Sequence, residues 1–66
     1  MNKEEMIAAL QQGKKVTHRF FQKGEFMFLN NEGNYQFEDG VECSSFDFWS
    51  YRPNEEWNED WEVIEE

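Results

Sequence analysis

The 66-residue chain holds one cysteine, one histidine and only six Lys/Arg against fifteen Asp/Glu, and nowhere does it carry a long apolar run. A lone Cys43 excludes an intrachain disulfide, and no Cys/His spacing has the form of a structural zinc site. An unpartnered thiol suits a reducing compartment, so the cytoplasm is the expected location. The opening MNKEEMIAALQQ contains two acids and no extended hydrophobic stretch; it reads as neither a signal peptide nor a membrane anchor, and no membrane association is expected. The shortage of cations leaves a net charge of −9, which disfavours direct binding to nucleic-acid backbones or anionic membranes. His18 has no nucleophile beside it in sequence, so the chain is not expected to be an enzyme. No cofactor is expected either, and no metal: EDGVE and NEEWNED lack the spaced ligands and glycine of a calcium loop.

What the chain has in abundance is aromatic rings, with seven Phe, three Trp and two Tyr. At this length a domain buries only about 60% of its unfolded surface. Twelve rings exceed what so small a core easily covers, and exposed aromatics concentrate at interfaces, so a homo-oligomer is expected. Charge is unevenly laid out. Residues 1–23 hold five Lys/Arg against two Glu, a net of +3, while residues 24–66 hold thirteen acids against Arg52, a net of −12. Such a surface gives solubility or imitates a polyanion.

The periodicities predict one domain over residues 1–66 with an acidic C-terminal end. Its class is α+β, with one N-terminal helix packed on a small antiparallel β-sheet, a meander of about four to five strands. Asn2 and Glu5 have the spacing of a capping box, Met6, Ile7 and Leu10 fall on one helical face, and Gly13 stands where a helix ends in the left-handed conformation. The period then changes to two. In KKVTHRFFQKGEFMFL a central hairpin is predicted, its turn at Lys23-Gly24, with Val16, His18 and Phe20 on one face and Thr17, Arg19 and Phe21 on the other. Its second strand, Glu25 to Asn30, is apolar on both faces, which places it centrally or beneath a partner subunit. Turns at Asn30-Asn31-Glu32-Gly33 and Asp39-Gly40 separate strands at Asn34 to Glu38 and Val41 to Cys43. Ser44 or Ser45 caps one helical turn through Trp49, which Arg52-Pro53-Asn54 breaks. Glu55 to Asp60 is acidic loop, and Trp61 to Ile64 is a closing strand with Trp61 and Val63 inward, before Glu65-Glu66 frays.

Six residues are candidates for a ligand site: Lys15, His18, Arg19, Trp49, Arg52 and Trp57. Lys15 and Arg19, with Lys14 and Lys23 nearby, form the one cationic patch. It reads equally as solvated charge at a helix end or as a focused site for a small anion such as a phosphate. Arg52, alone in an acidic and aromatic segment, pairs with a carboxylate or reaches a ligand. Trp49 and Trp57 suit stacking on a purine, with core packing as the alternative. His18 reads first as a hydrogen-bonded structural residue.

The run Met6-Ile7-Ala8-Ala9-Leu10-Gln11-Gln12-Gly13-Lys14-Lys15-Val16, followed by Arg19-Phe20, the alternating Phe26-Met27-Phe28-Leu29 and the closing Glu59-Asp60-Trp61-Glu62-Val63, resembles small phage proteins of the second Thoeris anti-defence family. The family reads ALxxGKKVxRxxW near the start and xDWxV at the end. This chain has Phe20-Phe21 in place of the Trp, and its stretch from Gly40 to Asn58 is its own. The resemblance implies a self-assembling helix-plus-sheet protomer, active in the host cytoplasm, that sequesters a cyclic ADP-ribose-like or cyclic nucleotide immune signal without cleaving it. The competing expectation is an acidic inhibitor that blocks a basic groove of a host protein by imitating nucleic acid.

Overall fold

The computed structural model describes residues 1–64; the expected fraying of Glu65-Glu66 lies outside the described residues. Helix α1 spans Lys3–Gln11. The Asn2 side chain accepts from the Glu5 amide at 2.8 Å and the Glu5 carboxylate accepts from the Asn2 amide at 2.9 Å, the reciprocal cap read from the sequence. At the other end Gly13 takes φ +83°, its amide bonding to the Leu10 carbonyl while that of Lys14 bonds to Ala9. This Schellman arrangement satisfies the last carbonyls and turns the chain into the sheet.

Five strands follow: β1 Lys15–His18, β2 Met27–Leu29, β3 Tyr35–Phe37, β4 Glu42–Cys43 and β5 Trp61–Ile64. Their order is β4-β3-β2-β1-β5 and every neighbouring pair is antiparallel. The first four strands are the expected meander. β5 then crosses back to the free edge of β1, with Val16 opposite Val63 and His18 opposite Trp61. Helix α2, Ser45–Ser50, is capped by the Ser44 hydroxyl accepting from Asp47, and a 3₁₀ turn at Glu55–Asn58 leads into β5.

Because side chains alternate, paired residues share a face. Val16, His18, Met27, Leu29, Tyr35, Phe37, Trp61 and Val63 all stand on one side, and α1, α2 and the 3₁₀ turn cover it. The core is Met6, Ala9, Leu10, Val16, Met27, Tyr35, Phe48 and Trp61. Nine of the twelve rings are buried or half-buried, whereas Phe20, Phe46 and Tyr51 are exposed.

The hairpin departs from its sequence reading in the length of both strands. β1 stops at His18 rather than running to Phe21, because the Phe21 amide turns back onto the His18 carbonyl at 2.9 Å and the Phe20 amide donates to His18 Nδ1 at 3.0 Å. The turn at Gly24, φ +87°, is where it was expected, but β2 begins only at Met27. The change reverses the alternation. Phe20 swings out to 48% exposure, and Phe21 packs on Trp61 with ring centroids 5.7 Å apart.

Candidate functional site

His18 is the buried polar residue of the core, 4% exposed and ringed by Trp57, Trp61, Phe20 and Phe21. Its Nδ1 accepts a backbone N–H, so Nε2 carries the hydrogen and donates to the Glu59 carbonyl at 2.7 Å, with the Glu56 carbonyl at 3.1 Å. Both nitrogens are thereby engaged. The residue ties the acidic loop to β1, as buried polar groups are held by hydrogen bonds.

The cations of the candidate set disperse. Arg19 pairs with Asp60 at 3.6 Å, both side chains largely exposed, beside a groove of ≈ 240 Å³ that Asp60 and Glu62 also line. Two carboxylates next to one guanidinium leave little positive potential for an anion. Arg52 lies over Phe48 at 4.0 Å and Trp57 at 5.1 Å from the ring centroids, and Nη1 donates to the Phe48 carbonyl at 3.2 Å. Its Nε is buried without a hydrogen-bond partner. Lys15 stands on the other face of the sheet, 4.8 Å over Phe26. Trp57 is half-buried between His18, at 4.3 Å, and the Arg52 guanidinium.

Trp49 alone of the six lines an apolar cleft between the two helices. α1 forms one wall with Lys3, Ile7 and Leu10, and α2 forms the other with Ser45 and Trp49. Leu29 and Tyr35 supply the floor, and the volume of this half-open cleft is ≈ 380 Å³, within the range of small-molecule sites. The Trp49 indole is fixed, its Nε1–H donating to the Tyr35 hydroxyl at 3.2 Å and its ring packed edge-on to Phe48 at 4.9 Å. Burial pushes the Tyr35 phenol above its ordinary value of 10.0, against a smaller lowering by the Trp49 bond, so the hydroxyl stays neutral. The Lys3 ammonium sits 4.1 Å above the indole centroid. A cation in the first helical turn runs against the helix dipole, so its place is set by the ring and the cleft, not by α1 itself.

Sequence reasoning did not single out Lys3, Ile7, Leu29 or Tyr35 for this site. A signal was present, since Lys3, Ile7 and Leu10 are spaced i, i+4, i+7 on one helical stripe. That α2 would face this stripe had no local sign. Among the described residues no group of three or more His, Cys, Asp or Glu is placed to hold a metal ion, and no helix is long and apolar enough to cross a membrane. No family model, curated protein or solved structure matches the chain.

Proposed function

We propose that this chain is a small binding protein that sequesters a nucleotide-type signal, of the cyclic ADP-ribose or cyclic nucleotide kind, in the cleft between α1 and α2. The observation that carries the reading is the ammonium of Lys3 held 4.1 Å over an indole that Tyr35 locks in place, at the wall of a cavity of ligand size. A nucleotide needs that pairing: a ring to stack its base, worth about 1–3 kcal/mol per base, and a cation within reach of its phosphate. Lys3, on a flexible stem, turns from the ring to the phosphate as the base takes its place. The likeness to the anti-defence sponge family points the same way, and a host cytoplasm is the matching setting.

Sequestration without turnover is favoured by the two groups best suited to chemistry. Burial, only partly offset by nearby Arg52, raises the Cys43 thiol above its ordinary value of 9.0, which suppresses the nucleophilic thiolate. Both His18 nitrogens serve the fold.

Thermal-shift and calorimetric titration with cyclic nucleotides and cyclic ADP-ribose test the reading. A tight ligand at a thousandfold excess over Kd stabilises by about 4 kcal/mol. Trp49→Ala and Lys3→Ala are each expected to abolish that gain, and the ligand is expected to be recovered intact by chromatography. Wild-type protein that gains nothing from any of these nucleotides refutes the proposal.

One observation favours the second reading, the inhibitor of a basic host protein. Glu55, Glu56, Glu59 and Asp60 are all exposed along the ordered segment that His18 holds in place. Its signature is binding that weakens steeply with salt.

A further inference from the structure

Three surface depressions meet at Lys3, and they differ in charge. In the cleft between α1 and α2, Lys3 is the one charged side chain among the described lining residues. Gln11, Ser45 and the Tyr35 phenol, which burial keeps neutral, offer hydrogen bonds without charge. A shelf on α2 shares Lys3, Ser45 and Trp49 with the cleft and adds Phe46 and Ser50, again uncharged. The third depression shares only Lys3 with the cleft, and its other walls are Asn2, Glu4, Asn58 and Glu59. The ammonium thus stands between an uncharged, largely apolar cavity and a pair of carboxylates.

This layout sets how much negative charge a ligand can bring. One phosphate charge is met by Lys3, next to apolar walls that strengthen the attraction relative to open water. A second charge finds no other cation in the lining, and reaching past Lys3 brings it toward Glu4 and Glu59 on a molecule of net charge −9. An ion left unpaired beside apolar walls is costly. Arg19 is a different case, because Asp60 and Glu62 line its own groove, whereas no acid lines the Lys3 cleft.

We infer, on the basis of the nucleotide reading of this cleft, that it selects a nucleotide with a single negative charge, the phosphodiester of a cyclic mononucleotide, over ligands that carry a phosphomonoester or a pyrophosphate. Closing the phosphate onto the ribose removes an ionisable oxygen. Cyclic AMP therefore has one charge at neutral pH, where AMP approaches two and cyclic ADP-ribose has two. Lys3 is then the residue that determines specificity, by matching one charge and no more.

Calorimetric titration with cyclic AMP, AMP, cyclic ADP-ribose and adenosine at constant ionic strength tests the selection with the base held constant. Cyclic AMP is expected to bind about tenfold or more tightly than either doubly charged ligand. Adenosine is expected to bind too weakly to stabilise the fold measurably, and Lys3→Ala brings cyclic AMP down to that level. The last phosphate proton of AMP has a pKa of about 6, so lowering the pH from about 7.5 to about 5.5 is expected to bring AMP toward cyclic AMP, while cyclic AMP itself stays within about twofold. Ser45→Lys places a second cation at an exposed position of the cleft and is expected to strengthen AMP and cyclic ADP-ribose more than cyclic AMP. Thermal melts confirm that both variants fold. AMP or cyclic ADP-ribose binding as tightly as cyclic AMP at neutral pH, or a gap that Ser45→Lys leaves unchanged, overturns the single-charge selection and leaves the nucleotide reading standing. Failure of all four to bind overturns the selection, and the nucleotide reading falls with it when the other cyclic nucleotides also give no thermal shift.

Discussion

His18 and Glu59 lie forty-one residues apart in the chain and 2.7 Å apart in the fold, the imidazole Nε2 donating to the Glu59 carbonyl. Through this bond the acidic segment, which repels itself, is anchored to the aromatic core, and β5 is delivered to the edge of β1. The expected cost of His18→Ala is about 3 kcal/mol, from two carbonyls losing their donor and from a void among Trp57, Trp61 and Phe21. Urea unfolding reads this directly. An unchanged midpoint shows that the segment is held by other contacts.

The two arginines of the candidate set are expected to behave differently from each other. Arg19→Ala removes an exposed pair with Asp60 and changes stability by less than about 0.5 kcal/mol. Arg52→Ala strips the cap from the Phe48 carbonyl and the cation from over two rings, and costs about 1–3 kcal/mol. Neither residue lines the Lys3–Trp49 cleft, so both variants are expected to keep a nucleotide-induced thermal shift. Loss of that shift in either one moves the ligand to the Trp57 side.

Cys43 has its thiol raised by burial, with smaller opposing effects from Arg52, which lowers it, and Asp47, which raises it. A raised value means that the fold favours the neutral thiol. The associated stability is fully present below the ordinary thiol value of 9.0, where neither state is ionised, and is lost as pH rises from there through the raised value of the folded state, because the unfolded chain ionises first. Folded protein is therefore expected to react with iodoacetamide at pH 8 more slowly than protein in urea, and Cys43→Ser is expected to flatten the fall in stability above pH 9. Equal alkylation rates in the two states contradict the raised value.

Gly13→Ala places a side chain at φ +83°, in the left-handed region that closes α1. Nothing lies within 4 Å of the added Cβ, so the cost is backbone strain alone, about 1 kcal/mol. A thermal melt measures it, and Gly13→Asn, which tolerates this conformation better, is expected to lose less.

Much of the framework was legible because it is local. The Asn2–Glu5 cap, the Gly13 terminus, the Gly24 turn and the Ser44 cap each depend on residues within a few positions of one another, and each forms as read. The apolar alternation of Phe26-Met27-Phe28-Leu29 identified a central strand, and β2 lies between β1 and β3. Alternation misled at Phe20, since parity continues only while the strand does, and the imidazole of His18 ends the strand by taking the Phe20 amide.

The candidate site was less legible. Charge clustering in sequence put Lys15 and Arg19 in one cationic patch and left Arg52 apart, to pair with a carboxylate or reach a ligand; in the fold Lys15 stands on the sheet face opposite α1, Arg19 faces Asp60, and Arg52 stacks on Phe48. Trp49 reached a cavity through partners on α1 that its own neighbourhood did not announce.

By itself the sequence determined where the chain bends, caps and alternates, because those features are settled by dihedral preferences and hydrogen bonds that close within a few residues. Only the tertiary structure decided that β5 returns to β1, that His18 is walled in, and that Lys3 meets Trp49. Such choices follow from packing rings and carbonyls distant in the chain into one interior, where the sole criterion is mutual fit.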